Sequence, residues 1–260
     1  VDVAIDANTN LYILTRGDGR IYQLDLRNLA FGATLTPIVP ANTFTLPNAL
    51  AFDGVGSLYV VEEGGALRRV RLSDYSVTAG SLVPAGTFTT PRGVEVLDNG
   101  KIAVSDAGRH VLYTVDTNGF AATFLAGQTN IPGSALGTGV AAQFFAPSHL
   151  AKAGNNTLVV ADRGNHQVRF VDTSGATAVL YGILSNFWVN ISDPAVRPGW
   201  ADGTTQFAES REPTGVVVDG SGNVYVSEQY YHLLRKATGS GLTGPGGVGS
   251  GGSGGTTLNP

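Results

Sequence analysis

Apolar residues along this chain fall in short runs separated by clusters of Gly, Asn, Asp and Pro. The pattern favours β-strands joined by tight turns over helices. It also repeats. Four segments open with Pro and align without gaps: PNALAFDGVGSLYVVEEGGALRRVRL from Pro47, PRGVEVLDNGKIAVSDAGRHVLYTVD from Pro91, PSHLAKAGNNTLVVADRGNHQVRFVD from Pro147 and PTGVVVDGSGNVYVSEQYYHLLRKAT from Pro213. A fifth copy, VDVAIDANTNLYILTRGDGRIYQLD, starts at Val1 without its Pro.

Each copy predicts three strands and a looser fourth. The first is apolar three residues after Pro and usually five after, as at Val216 and Val218. A turn such as DGSGN, LDNGK or AGNNT follows, built of residues that tolerate positive φ. The second strand reads LYIL, LYVV, IAVS, LVVA or VYVS, with the β-branched and aromatic bias of strands. A third, such as QVRFVD, and an outer fourth in ATFLAG or ATAVLYG complete the unit. Small residues dominate four after Pro, at Ala4, Ala51 and Ala151, with Glu95 and Val217 as the exceptions. Such crowding suits innermost strands packed around an axis. The fold class expected is all-β, a β-propeller of four-stranded antiparallel blades with five recognisable repeats, closing with five or six blades.

These segments resemble the NHL repeat in the Pro, the Asp-x-x-Gly-Asn turn, Tyr-Val-x-Asp/Glu, and Asn-His before the third strand. The resemblance covers residues 1 to 238 and is strongest from 91 to 236. It implies a propeller and leaves function open, because NHL propellers serve as binding platforms, structural modules and, less often, lyases or hydrolases.

The repeat also bears on the tail, GPGGVGSGGSGGTTLNP, whose composition is that of a linker. If the end of the chain led into its beginning, Pro260 would stand where the first copy lacks its Pro. TTLNP followed by VDVAID then matches FTLP-NALAFD in register. Residues 1–243 are therefore read as the propeller, and 244–260 as a tail that completes a blade or joins a neighbouring copy. Continuation into a further copy, closure on the same propeller and strand donation to a neighbour remain open.

At 260 residues, with 36 Gly and 12 Pro, the composition suits one large all-β domain or two smaller ones. The net charge of −4, without a basic stripe, argues against nucleic acid. No apolar run approaches the ~18–20 residues of a membrane span. The absence of Cys excludes disulfides and thiolate sites, and the absence of Met adds resistance to oxidation, which suits an extracellular or cell-surface location. The chain begins at Val1 rather than Met, as a processed or excised product would.

Several polar positions are candidates for chemistry. Asp2 and His149 lie two after the Pro position, and Asn48 and Arg92 one after it. All four are expected to line one mouth of an axial channel. Glu95 and Lys152 interrupt the apolar pattern of two adjacent first strands and are expected to form a buried ion pair, because a lone buried charge is costly. The pairs Asp106/His110, Asp162/His166 and Glu228/His232 share a spacing of four across a hairpin. Each carboxylate is read as capping its own turn, with each His packed beside the next strand. The long segment 181–212 carries Phe187, Trp188 and Trp200, a candidate partner-facing patch. With Thr256, Thr257, Leu258, Asn259, Pro260 and Val1 it supplies the interface candidates. No phosphate-binding loop or Gly-x-Ser-x-Gly elbow is present.

The function expected is a non-catalytic extracellular binding or assembly module. It would need no cofactor, and it would self-associate with other copies as a filament or tandem array, or bind an extracellular protein. One alternative, which the resemblance brings in, is a propeller lyase or lactonase holding Ca²⁺ or Zn²⁺ near Asp2, Asn48 and His149. The other is a glycan- or peptide-binding propeller.

Overall fold

A computed structural model describes residues 2–29, 34–154, 156–182 and 210–238 of the chain. The fold is all-β, with five antiparallel blades of the β-propeller class. Among the described residues the only helical pieces are three 3₁₀ turns. The first blade is β1 (Asp2–Ile5), β2 (Asn10–Thr15), β3 (Arg20–Asp25) and β4 (Thr36–Val39), hydrogen-bonded in chain order. The second is β5 (Pro47–Phe52), β6 (Ser57–Glu62) and β7 (Leu67–Arg71). The third is β8 (Pro91–Val96), β9 (Ile102–Asp106), β10 (Val111–Val115) and β11 (Ala122–Gly127). The fourth is β12 (Pro147–Lys152), β13 (Leu158–Asp162), β14 (Gln167–Val171) and β15 (Thr177–Tyr181). The fifth is β16 (Pro213–Val218), β17 (Val224–Glu228) and β18 (Leu233–Ala237).

The chain divides into two compact units, Val1–Gly108 with Tyr113–Thr123, and Arg109–Leu112 with Phe124–Pro260. In the first unit, one core cluster joins Tyr12, Leu14 and Ile21 to Leu50, Leu58 and Val60. A second joins Ala51, Tyr59 and Val61 to Val94, Ile102 and Val104. In the second unit, Ala151, Val159, Ala161 and Phe170 pack on Val216, Val224 and Val226. Blade-to-blade burial is thus the main hydrophobic term inside each unit. It explains why β6, β9 and β13 read as continuous apolar runs: both of their faces are covered.

One expectation needs correcting. The second blade has three strands, and its outer position is reduced to a single bridge between Val70 and Val77. The chain there carries Gly80, Pro84 and Gly86, residues that interrupt a ladder. Backbone bonds from Thr78 to Arg69 and from Leu82 to Leu67 keep the segment beside β7. Side chains add to them: Arg68 Nε donates to the carbonyl of Thr78 at 2.8 Å, and Thr78 Oγ1 accepts from the amide of Arg69 at 3.1 Å.

The first turn is held by an aspartate in three of the five repeats. Asp6 accepts from the amides of Asn8 and Asn10, from Asn10 Nδ2 and from the Tyr12 hydroxyl. Asp219 does the same with Ser221, Asn223 and Tyr225. Asp53 accepts three amides, from Val55, Gly56 and Ser57. The Asp-x-x-Gly-Asn-x-Tyr signature is therefore one local hydrogen-bond network.

That network depresses all three carboxyls. Desolvation is the largest influence at Asp6 and Asp53 and acts upward, but the accepted hydrogen bonds together outweigh it. At Asp219 the bonds from Asn223 dominate. A depressed folded pKa means stability that is complete above the unfolded value, about 3.9, and lost as pH falls through the folded value. Thermal melts from pH 7 to pH 3 are expected to fall in that acid window. Asp6→Asn, Asp53→Asn and Asp219→Asn combined should melt lower at pH 7 and show a shallower acid slope.

A second signature is buried. Asp162 and Arg169 form a fully buried ion pair at 3.1 Å. The guanidinium also donates to the carbonyls of Gln143 and Ala135 and to Thr177 Oγ1, and stacks 4.4 Å from the Phe144 ring centroid. Removing one partner of such a pair leaves a buried charge. Arg169→Leu is expected to cost about 3–5 kcal/mol in chemical denaturation, the usual range for breaking a buried pair.

Candidate functional site

The polar candidates sit where a β-bulge interrupts the first strand of a blade. In blades two, three and five the first and second strands slip register between Pro and the residue two after it. In blade four the slip falls between Pro147 and Leu150. A bulge frees a side chain from the ladder's alternation, and here it releases Asn48, Arg92, Ser148 and Thr214. Pro begins each of these strands, the position where its missing N–H costs least.

In the first unit, Asn48 and Arg92 are brought together by two residues the sequence reading passed over, Arg16 and Glu63. Arg16 donates to Asn48 Oδ1 and, at 2.9 Å, to Glu63 Oε2. Asn48 Nδ2 donates to Glu63 Oε2 at 3.1 Å and to the carbonyl of Pro91 at 2.7 Å. Arg92 reaches Glu63 Oε1 at 3.3 Å. One carboxylate thus holds two guanidiniums and an amide drawn from three successive blades. Partial burial raises the Glu63 pKa, but the bonds from Arg16 and Asn48 and the charges of both arginines outweigh it, leaving the carboxyl below its ordinary range. The cluster is only partly buried. It carries one excess positive charge. The alignment held a signal for it: the column directly after the second-strand acid reads Arg16, Glu63, Ala107, Arg163 and Gln229.

In the second unit the same column supplies Arg163, which pairs with Glu212 at 2.9 Å. Ser148 Oγ lies within hydrogen-bond distance of the carbonyls of Ala161 and Pro213. Thr214 Oγ1 sits 3.3 Å from Ser227 Oγ.

Asp2 and His149 do equivalent work in different units. Asp2 Oδ2 accepts from the amide of Leu50 at 2.8 Å, and His149 Nδ1 donates to the carbonyl of Val216 at 3.1 Å. Leu50 and Val216 both lie three after the Pro of the following blade. Each side chain therefore ties one first strand to the backbone of the next. Glu95 is half-buried, with Oε1 accepting the amide of Val96, and Lys152 is exposed. The expectation that these two charges are buried is not met: Glu95 stands four after its Pro and Lys152 five after, and both side chains keep access to water.

The carboxylates of the acid-x-x-x-His pairs do more than cap their own turns, as Asp162 does for Asn165 Nδ2 at 2.7 Å. With Glu62 in the same column, they also reach back to the loop before the blade. Glu62 accepts from the amide of Thr45, Asp106 from Thr89, Asp162 from Phe145 and Glu228 from Arg211, each 17 residues upstream. Asp106 adds the Thr90 amide and, in its own turn, that of Gly108. The histidines reach forward. His110 Nδ1 accepts from the amide of Ala146 at 3.1 Å, and His166 Nδ1 from Glu212 at 3.0 Å. Both histidines have positive φ. Among the described residues no group of three His, Asp or Glu is placed to hold a metal ion.

The remaining candidates, Phe187, Trp188, Trp200, Val1, Thr256, Thr257, Leu258, Asn259 and Pro260, lie outside the described residues.

Solved structures similar to this chain share its fold. An auxiliary nutrient binding protein from Bacteroides ovatus superposes with a TM-score of 0.71 at 19% identity, over 90% of this chain and 58% of its own. A chain of a nidogen–laminin complex does so with a TM-score of 0.65 at 16% identity, over 91% of this chain and 74% of its own. Virginiamycin B lyase from Staphylococcus aureus matches with a TM-score of 0.61 at 14% identity, over 91% of this chain and 66% of its own. The chain thus spans under two thirds of the nutrient binding protein and of the lyase. No family model and no curated protein matches the sequence.

Burial, the dominant influence, lowers the His166 pKa, with Arg211 and Arg163 acting in the same direction against Glu212. The neutral ring is the form that accepts the Glu212 amide. A base with a depressed folded pKa gives stability that is complete above its unfolded value, about 6.5, and lost as pH falls through the folded value. The melting temperature should therefore drop between pH 7 and pH 5. His166→Asn, which keeps a residue tolerant of left-handed backbone, should flatten that part of the pH profile.

Proposed function

We propose that this chain is a non-catalytic, NHL-like binding propeller that works outside the cell or at its surface by associating with other copies of itself. One observation carries the non-catalytic part. The groups that a metal-dependent propeller enzyme would need at the strand mouths, Asp2 and His149 above all, are committed to backbone bonds with the next blade. An acid or imidazole that braces a strand is not free to exchange protons with a substrate.

Self-association suits the repeat itself. Each blade is built to pack on a blade like itself, so the surface it offers is complementary to another copy. The similarity to nutrient binding proteins and to a nidogen–laminin complex supports binding as the broader role. The lack of Cys and Met accords with an oxidising surrounding. No helix of the described residues is long and apolar enough to cross a membrane.

The lyase among the structural neighbours keeps one alternative in view, a propeller lyase or lactonase using Ca²⁺ or Zn²⁺. Sedimentation velocity from micromolar to millimolar protein, with and without a chelator, separates the two readings. Concentration-dependent association that the chelator leaves unchanged is expected. A monomer at every concentration, carrying stoichiometric Ca²⁺ or Zn²⁺ by elemental analysis, would favour the enzyme.

A further inference from the structure

The five repeats act as internal controls for one another, and two blade faces stand out. The residue three after Pro is buried in four blades, at Leu50, Val94, Leu150 and Val216. Its counterpart in the first blade, Val3, is 53% exposed. Two residues on, Phe52, Val96 and Val218 pack into inter-blade clusters, whereas Ile5 is 54% exposed. Strand register puts Val3, Ile5, Leu11, Ile13, Tyr22 and Leu24 on the same face of the first blade. None of them is buried. The equivalent face of the fifth blade, with Val216, Val224 and Val226, is the one that packs on the fourth.

The fifth blade shows the converse. Four after Pro, Ala51 and Ala151 are buried, but Val217 is 58% exposed. On the third strand, Leu112 and Val168 are buried, but Leu234 in the same column is 61% exposed. Val217 pairs with Tyr225 and Leu234 with Ser227, which places them on one face. That face corresponds to the one through which the fourth blade, with Ala151, Val159 and Phe170, receives the fifth.

We infer that the first-blade face around Val3 and Ile5 docks on the fifth-blade face around Val217 and Leu234 of a second copy of this chain. The contact would rebuild between molecules the interface that the fourth and fifth blades make within one. The occupant follows from that continuity: each open face already has its complement, and the complement belongs to this same sequence. Such a contact is heterologous, so every added copy presents a fresh open face and assembly proceeds to rings or filaments. Burying apolar residues that are more than half exposed supplies the driving force. The inference rests on the self-association reading and specifies its surfaces.

Sedimentation of the full chain and two variants tests it. Val3→Asp spoils one face and Leu234→Asp the other, and each alone is expected to weaken association at least tenfold. Mixed together, they should form a dimer and nothing larger, because each supplies the face the other lacks. Variants that associate like the parent chain would overturn these surfaces while leaving self-association standing. A parent chain that never associates would overturn both. Circular dichroism melts check that each variant is folded. A second route needs no disruptive charge: in this Cys-free chain, Val3→Cys with Val217→Cys should oxidise to a ladder of covalent multimers. A disulfide closed within single chains would overturn the inference.

Discussion

The structure depends on a buried carboxylate at the end of the second strand, in four blades of five. Glu62, Asp106, Asp162 and Glu228 each accept an amide from the loop that leads into their own blade. The loop before a first strand has no ladder partner, and an amide left dry there would cost about 1–3 kcal/mol. A charged acceptor removes that cost with the stronger kind of hydrogen bond. Because the acid sits on a strand buried on both faces, it also fixes where the loop stops and the strand starts. The bulge, the released side chains and the contact with the next blade all follow from that anchor.

An acid in such a place needs a cation, and the blades meet the need differently. Arg169 and Arg235 fill the role almost completely buried, and Arg68 does so with a little exposure. Two of these arginines also lie over a Phe three before the Pro, Arg68 on Phe44 and Arg169 on Phe144. The guanidinium plane can stack and donate at once, which an ammonium cannot do. In the third blade Tyr113 holds the column of Arg169 and Arg235, and Asp106 accepts from the amides of Thr89, Thr90 and Gly108.

This accounts for what could be read from the chain. Strands, blades and the Asp-held first turns were legible because each depends on residues close in sequence: Asp219, Asn223 and Tyr225 span a single hairpin. The buried anchors were half legible. Their acids and histidines stood out by regular spacing, but the atoms they bind are backbone amides, which carry no residue code. Nothing in the letters at Thr45 or Phe145 marks them as donors. The cluster around Glu63 was missed for a different reason. Its members come from three repeats and meet only because a bulge turns Asn48 and Arg92 toward it, so an alignment shows a charged column without showing its purpose.

The same logic explains why many polar side chains at the strand starts hold blades together. At Asp2 protonation would weaken the bond from the Leu50 amide that ties two first strands. At His166 it would cost the amide of Glu212 its acceptor. Glu63 is pinned from both sides, by Arg16 and Arg92. Ionisable side chains thus bind the seams, while the apolar blade faces pack on one another with no proton movement required.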